Sequence, residues 1–202
     1  MPNLLARYFR LKEGQESLPP GTREMGLVFM LASLGMLFAS MLVGYFTVRW
    51  MAGEWPPPGT PKLPAGLWAG TAVLILGSLS IHRALAGIRA GSSARLAVWL
   101  RWTLILGLLF LGIQGLNWAA LIKAHGGPTD GMYGFLFFVL TMLHGVHVVA
   151  GLLPLGVALS RVRTGRYTAG SHHGIRSLAI YWHFLGLTWL VLFAVLYLAD
   201  RP

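Results

Sequence analysis

Apolar residues in this chain gather into five long runs separated by short polar stretches: Met25–Val48, Leu63–Ile81, Trp102–Ile122, Gly131–Ser160 and Ser177–Ala199. A helix rising about 1.5 Å per residue needs roughly 20 residues to cross about 30 Å of hydrocarbon, and each run is of that length or longer. None alternates in the manner of a barrel strand. A lone apolar segment in lipid can satisfy its backbone amides only internally, so the runs are read as helices. The expected fold class is an all-α membrane protein, a bundle of five transmembrane helices over residues 25–202, preceded by an N-terminal segment over residues 1–24.

Local signals fill in the connections. Leu4, Leu5, Tyr8 and Leu11 recur at helical spacing between Arg7, Arg10 and Lys12, which predicts a short helix lying on the membrane surface. Residues Gly14 to Gly21 read as a connector. The first apolar run begins only at Met25 and is too long for the core of a secretion signal, so the N-terminal segment is expected to be retained. The run Trp55-Pro56-Pro57-Pro58-Gly59 predicts a stiff, non-helical loop, because proline lacks the amide donor and restricts the residue before it.

Composition agrees with this solvent. Of 202 residues, 55% are hydrophobic and only 11% charged, too few charges to cover a water-soluble domain. All six acidic residues, Glu13, Glu16, Glu24, Glu54, Asp130 and Asp200, fall outside the runs' cores. With no cysteine there are no disulfides, thiolate metal sites or cysteine nucleophiles.

The net charge of +10 would suit a nucleic-acid binder, but its distribution points elsewhere. Twelve of the sixteen Lys and Arg residues lie in three segments: Arg7, Arg10, Lys12 and Arg23; Arg83, Arg89, Arg95 and Arg101; and Arg161, Arg163, Arg166 and Arg176. The opposite side has Arg49, Lys62, Lys123 and Arg201. The positive-inside rule therefore places the N-terminus in the cytoplasm and the C-terminus outside, as an odd number of spans requires. No nucleic-acid partner is expected, and a bacterial-type cytoplasmic (inner) membrane is the expected location. Trp50, Trp55, Trp68, Trp99, Trp102 and Trp118 cluster near predicted helix ends, as amphipathic rings at headgroup depth do.

The polar residues left inside the runs are His144, His147, His183, Gln114 and Asn117. Histidines on two helices could ligate a haem or a metal, which motivates one reading: a stand-alone electron carrier using His144, His147 and His183. Depth argues against it. At about 1.5 Å per residue, His147 stands about 20 Å from the end of its helix near Ser160, while His183 stands only about 9 Å from Ser177. Two axial ligands need matching heights. The simpler expectation is neutral imidazoles hydrogen-bonding between helices or to lipid, with Gln114 and Asn117 as interhelical glue worth about 1 kcal/mol each. Small residues, Ala32, Gly35 and Ala39, Gly107 and Gly112, and Gly145 and Gly151, predict close helix approach. A small transporter is a further class, disfavoured because only Pro154 interrupts a run and no buried charge marks a substrate site.

Specific signatures appear in the last two runs. Asp130-Gly-Met-Tyr-Gly134, Phe137-Phe-Val-Leu-Thr-Met-Leu-His-Gly-Val-His-Val148, His172-His173, and Tyr181-Trp-His-Phe184 with Trp189 occur in the order found in subunit III of the haem–copper respiratory oxidases, which this chain resembles. The resemblance extends upstream through Gln114-x-x-Asn117-Trp118, Trp55-Pro56-Pro57, and Ala32-Ser33 with Phe38-Ala39, Tyr45 and Arg49, and covers about residues 22–200 in the family's five-helix form. It implies an accessory subunit without haem or copper of its own, its helices in two groups around a V-shaped lipid cleft. It implies packing on catalytic subunit I, which carries the haem and copper, in a complex with subunit II and further respiratory subunits. It also implies stabilisation of the oxidase, supply of protons and guidance of oxygen. Cytochrome c and quinol oxidases, and nitric oxide reductases, share such subunits. Structural phospholipids are the expected ligands, and the candidate lipid or subunit contacts are Arg49, Gln114, Asn117, His144, His147, Arg176, Tyr181, Trp182 and His183.

Against the family pattern four acidic positions are neutral or reversed here. Ser33-Leu34 stands where Ser-Glu is common, Asn117 stands for Glu, Arg176 for Glu and Gly186 for Asp. An arginine at 176 would repel protons at the mouth of the site, so a proton-gathering role is expected to be weakened while scaffolding persists.

Overall fold

A computed structural model describes residues 22–163, 165 and 167–199. Within them are five helices: α1 (Thr22–Met51), α2 (Gly66–Arg89), α3 (Ser93–Lys123), α4 (Met132–Arg163) and α5 (His173–Ala199). All five are long and apolar enough to cross a membrane. The surface helix expected over residues 4–11 lies outside the described residues.

The helices outrun their apolar runs, chiefly at the arginine-rich end. At 31 residues α3 is about 46 Å long, well beyond the hydrocarbon thickness. Arg83, Arg89, Arg95 and Arg101, expected in a loop, instead lie on the facing ends of α2 and α3, because the link between these helices is only Ala90, Gly91 and Ser92. The local chemistry explains so tight a turn. Gly91 takes the left-handed conformation at φ 75°, which lets its N–H reach the Ile88 carbonyl and the Ser92 N–H reach the Gly87 carbonyl at 2.9 and 3.0 Å. Ser92 then caps α3 by accepting from the Arg95 amide. The far end of α3 closes the same way around His125 at φ 57°, with Gly126 N–H on Leu121 O at 3.0 Å. Residues 52–65, including the proline run, contain no helix, and α2 begins only after Pro64.

α2, α3, α4 and α5 pack as a four-helix group, with the α2–α3 hairpin the most intimate pair. α1 stands apart and, among the described helices, packs against α4 and α5. The two-group arrangement thus takes the form of four helices and one. α1 buries a single narrow stripe, Leu34, Phe38 and Tyr45, and turns Phe29, Met36, Val43 and Trp50 outward.

Aromatic bulk fills the core of the four-helix group: Trp182, Trp189, Phe110 and Phe137 are almost wholly enclosed. Glycines admit it. A Cβ at Gly107 would stand 2.6 Å from Leu152 and 2.7 Å from Trp182, and one at Gly151 would stand 2.8 Å from Tyr181. Gly112, also expected at a close approach, faces outward with nothing within 4 Å.

Replacing Gly107 by Val is therefore expected to destabilise the bundle by about 1–3 kcal/mol through overpacking. Gly112→Val should leave stability unchanged. The midpoint of thermal unfolding in detergent separates the two; equal midpoints would contradict the packing described.

Candidate functional site

Hydrocarbon offers no hydrogen bonds, so a polar side chain inside the bundle is costly unless it finds a partner within the protein. Aromatic polar tips among the described residues do so between elements. Trp189 Nε1–H donates to Thr71 Oγ1 at 3.0 Å, joining α5 to α2. Trp118 Nε1–H donates to Thr141 Oγ1 at 3.0 Å, joining α3 to α4. The Tyr181 hydroxyl donates to the His147 carbonyl at 2.9 Å, joining α5 to α4. At the opposite end Trp55 Nε1–H donates to the Tyr45 hydroxyl at 3.1 Å, tying the proline loop to α1. Between α2 and α3, Ser80 donates to the Trp99 carbonyl at 2.8 Å and Thr103 to Ser80 at 3.1 Å.

Among the described residues these interhelical bonds come from tryptophan, tyrosine, serine and threonine, and not from the amides expected to supply them. Gln114 is enclosed, yet neither its Oε1 nor its Nε2 has a protein partner, and Asn117 Nδ2 has none either. Asn117 lies directly against Gly66, where any Cβ would collide with its Oδ1. Thr71 and Thr141 escaped the sequence reading. A threonine in an apolar run looks like an ordinary helix residue returning its hydroxyl to its own carbonyl, as both do here toward Leu67 and Phe137. Spacing along one helix gives no sign that a facing indole will share the oxygen.

The three membrane histidines separate. His144 is completely buried and lies against Trp189, Phe110 and Phe38, with ring centroids 5.1, 5.8 and 6.2 Å away. Neither of its nitrogens has a protein partner. His147 is half-buried, with Nδ1 2.7 Å from the Leu143 carbonyl, which can only accept. It packs on Phe38 of α1. His183 is exposed on another face of α5, beside His82 of α2 at 6.3 Å between rings. His144 lies beside Trp189, six residues beyond His183, so those two are offset by about 9 Å along the helix; His147, three residues nearer the arginine-rich end, is only about 4–5 Å from His183 in height, about half the offset expected from the sequence. No group of three or more His, Cys, Asp or Glu side chains among the described residues converges in a way that could hold a metal ion. The haem-carrier reading is left without support.

The other candidate contacts divide by depth. Trp182 joins Gln114, Asn117 and His144 inside the bundle. Arg176 is exposed, Arg49 and Tyr181 are half-exposed, and His183 faces outward. Near the arginine-rich end a groove of about 300 Å³ runs between α1, α4 and α5, lined by Leu27, Met30, Ala150, Pro154, Ser177 and Tyr181. Beside it Glu24 of α1 approaches His173 of α5 at 3.8 Å.

A family model described as cytochrome c oxidase subunit III matches residues 17–200. Cytochrome c oxidase subunit 3 of Synechocystis sp. is 35% identical over 181 residues, covering 89% of this chain and 76% of that protein. That of Thermostichus vulcanus is 34% identical and covers 90% of each. A probable cytochrome c oxidase subunit 3 of Nocardia farcinica is 30% identical and covers 88% of each.

The Thr71–Trp189 bond gives a direct test of the buried polar layer. Thr71→Val should lower stability by about 1–3 kcal/mol by stranding the indole N–H. Adding Trp189→Phe removes that stranded donor, so the double variant should lose less than the sum of the two single losses. Additive losses in a thermal-unfolding cycle would contradict the bond.

Proposed function

This chain belongs to the cytochrome c oxidase subunit III family, and on that premise we propose that it is the accessory subunit of a haem–copper terminal oxidase in aerobic respiration, packed against catalytic subunit I. The observation that carries the reading within this chain is the separation of its histidines. His144 is sealed among Trp189, Phe110 and Phe38 while His183 sits on an outer face. With His144 and His147 kept apart from His183, the chain is read as acting by shaping the surroundings of a neighbour that holds haem and copper. Subunit II and the remaining respiratory subunits complete the assembly.

The loosely attached α1 supports such a role, since its outward apolar face has few neighbours in its own chain. The groove among α1, α4 and α5 corresponds to the lipid cleft, where a structural phospholipid would fill apolar space with Tyr181 in its lining. Arg49, at the other end of α1, faces headgroups of the opposite leaflet. The positive charge at one set of helix ends supports an orientation with the N-terminus in the cytoplasm and the C-terminus outside, and the proposed location is a bacterial-type cytoplasmic membrane.

Acid-free spans argue against a strong proton-gathering role. Leu34 belongs to the buried stripe of α1, Asn117 is enclosed and Arg176 carries the opposite sign. Scaffolding needs shape and apolar contact, which those changes preserve.

The chain should co-purify from native membranes with a partner containing haem and copper. Its removal should shorten the active lifetime of the oxidase while changing the initial rate of proton uptake at high pH by less than about two-fold. A stoichiometric cofactor on the isolated chain, or proton uptake that collapses without it, would overturn the proposal.

A further inference from the structure

On the outer wall between α2 and α5 lies a second groove, of about 250 Å³, separate from the one beside α1. Thr71, Ser78, Leu79, His183, Gly186 and Leu187 are among its lining residues. It opens toward the membrane and not the core, since Leu79 is 54% and Leu187 62% exposed. Its depth owes much to Gly186, where a Cβ would stand 3.1 Å from the Ser78 hydroxyl, and Trp189 with its acceptor Thr71 forms part of the inner wall.

Toward the arginine-rich end the wall changes character. His183 and His82 face each other at 6.3 Å. Two turns further along the same helix faces, seven residues from each histidine, come Arg176 on α5 and Arg89 on α2, both exposed. Arg83, next to His82, lies over the Trp99 ring at 4.9 Å. Neither α2 nor α5 contains a carboxylate, and Glu24 of α1 is turned to His173. The order along the membrane normal is therefore an apolar channel, a hydroxyl, two imidazoles and two guanidinium groups.

We propose that this groove between α2 and α5 binds one anionic glycerophospholipid, with an acyl chain in the channel along Leu79 and Leu187 and the phosphate between the histidine pair and Arg89 and Arg176. Free phosphate would make no use of the apolar channel, and a zwitterionic lipid gains less from a basic rim without acids. Gly186 deepens the channel and Arg176 puts positive charge at its mouth; a carboxylate at either position would repel the phosphate. The inference rests on the membrane-subunit reading above and concerns a different face of the bundle.

The test uses the complex as extracted from native membranes. It is stripped of loosely held lipid in detergent and then exposed to micelles containing phosphatidylglycerol or phosphatidylcholine, with bound lipid measured by mass spectrometry. The native chain should retain phosphatidylglycerol in preference. Arg176→Glu should lower its retention about five-fold or more, as expected for reversing one basic residue at a membrane surface, and Gly186→Leu should abolish retention by filling the channel. Arg176→Glu lies on the surface and decides the matter if Gly186→Leu fails to assemble. Equal retention of both lipids by the native chain, unchanged phosphatidylglycerol in Arg176→Glu, or a photo-crosslinker at position 187 that captures a protein subunit would overturn the proposal. Failure of the subunit reading shows separately, as absence of a haem–copper partner from the same preparation.

Discussion

Within hydrocarbon, a hydrogen-bond donor that does not find an acceptor in the protein finds none, and the bundle is organised around that constraint. Trp118, Tyr181 and Trp189 each carry a large apolar ring with one polar atom, and each ring can be buried only in the orientation that delivers its N–H or O–H to a fixed oxygen on another helix. Dispersion packing then sets how close the helices come, through glycines such as Gly107 and Gly151 that make room for the rings. Rotation and depth of each helix follow from a few directional bonds, since lipid tails are as apolar as the core and no hydrophobic difference would otherwise hold the helices in register.

The same constraint accounts for where function can reside. The polar layer of the core is enclosed by α2, α3, α4 and α5, so His144, Gln114 and Asn117 face this chain's own side chains. What the rest of a membrane complex or its lipids can touch is the periphery: the sparsely packed α1, the groove beside it, and the lateral groove between α2 and α5. Those surfaces are apolar at mid-membrane and basic at one end. This suits an accessory role, in which contact area and lipid shape matter more than any single reactive group.

Membrane residence, five helices and the segregation of arginine were all legible in the chain, because hydrocarbon thickness fixes the length of an apolar run and the free energy of charge in lipid fixes where arginine falls. Helix ends were less so. The apolar runs end where the hydrocarbon ends, but backbone hydrogen bonding continues until a cap stops it, at Gly91 and Ser92 for the α2–α3 link and at His125 for α3. The family signatures in α4 and α5 were likewise readable, whereas the height offset expected between His147 and His183 was too large, because each was counted from the end of its own apolar run and the relative shift of the two helices is set by packing.

Only the tertiary structure decided which face of each helix turns inward. Sequence periodicity in a nearly uniform apolar run has little polar contrast from which to infer a face, so Gly107 and Gly112, Trp182 and His183, and Thr71 and Ser78 look alike until the helices are packed. Packing sent one of each pair into the core and left the other outside or at a groove. The sequence by itself determined the solvent, the number of crossings and the sign of each end, all of which depend on composition along one axis. Azimuth about that axis depends on which neighbour offers an acceptor or a hollow, and that is information no single helix contains.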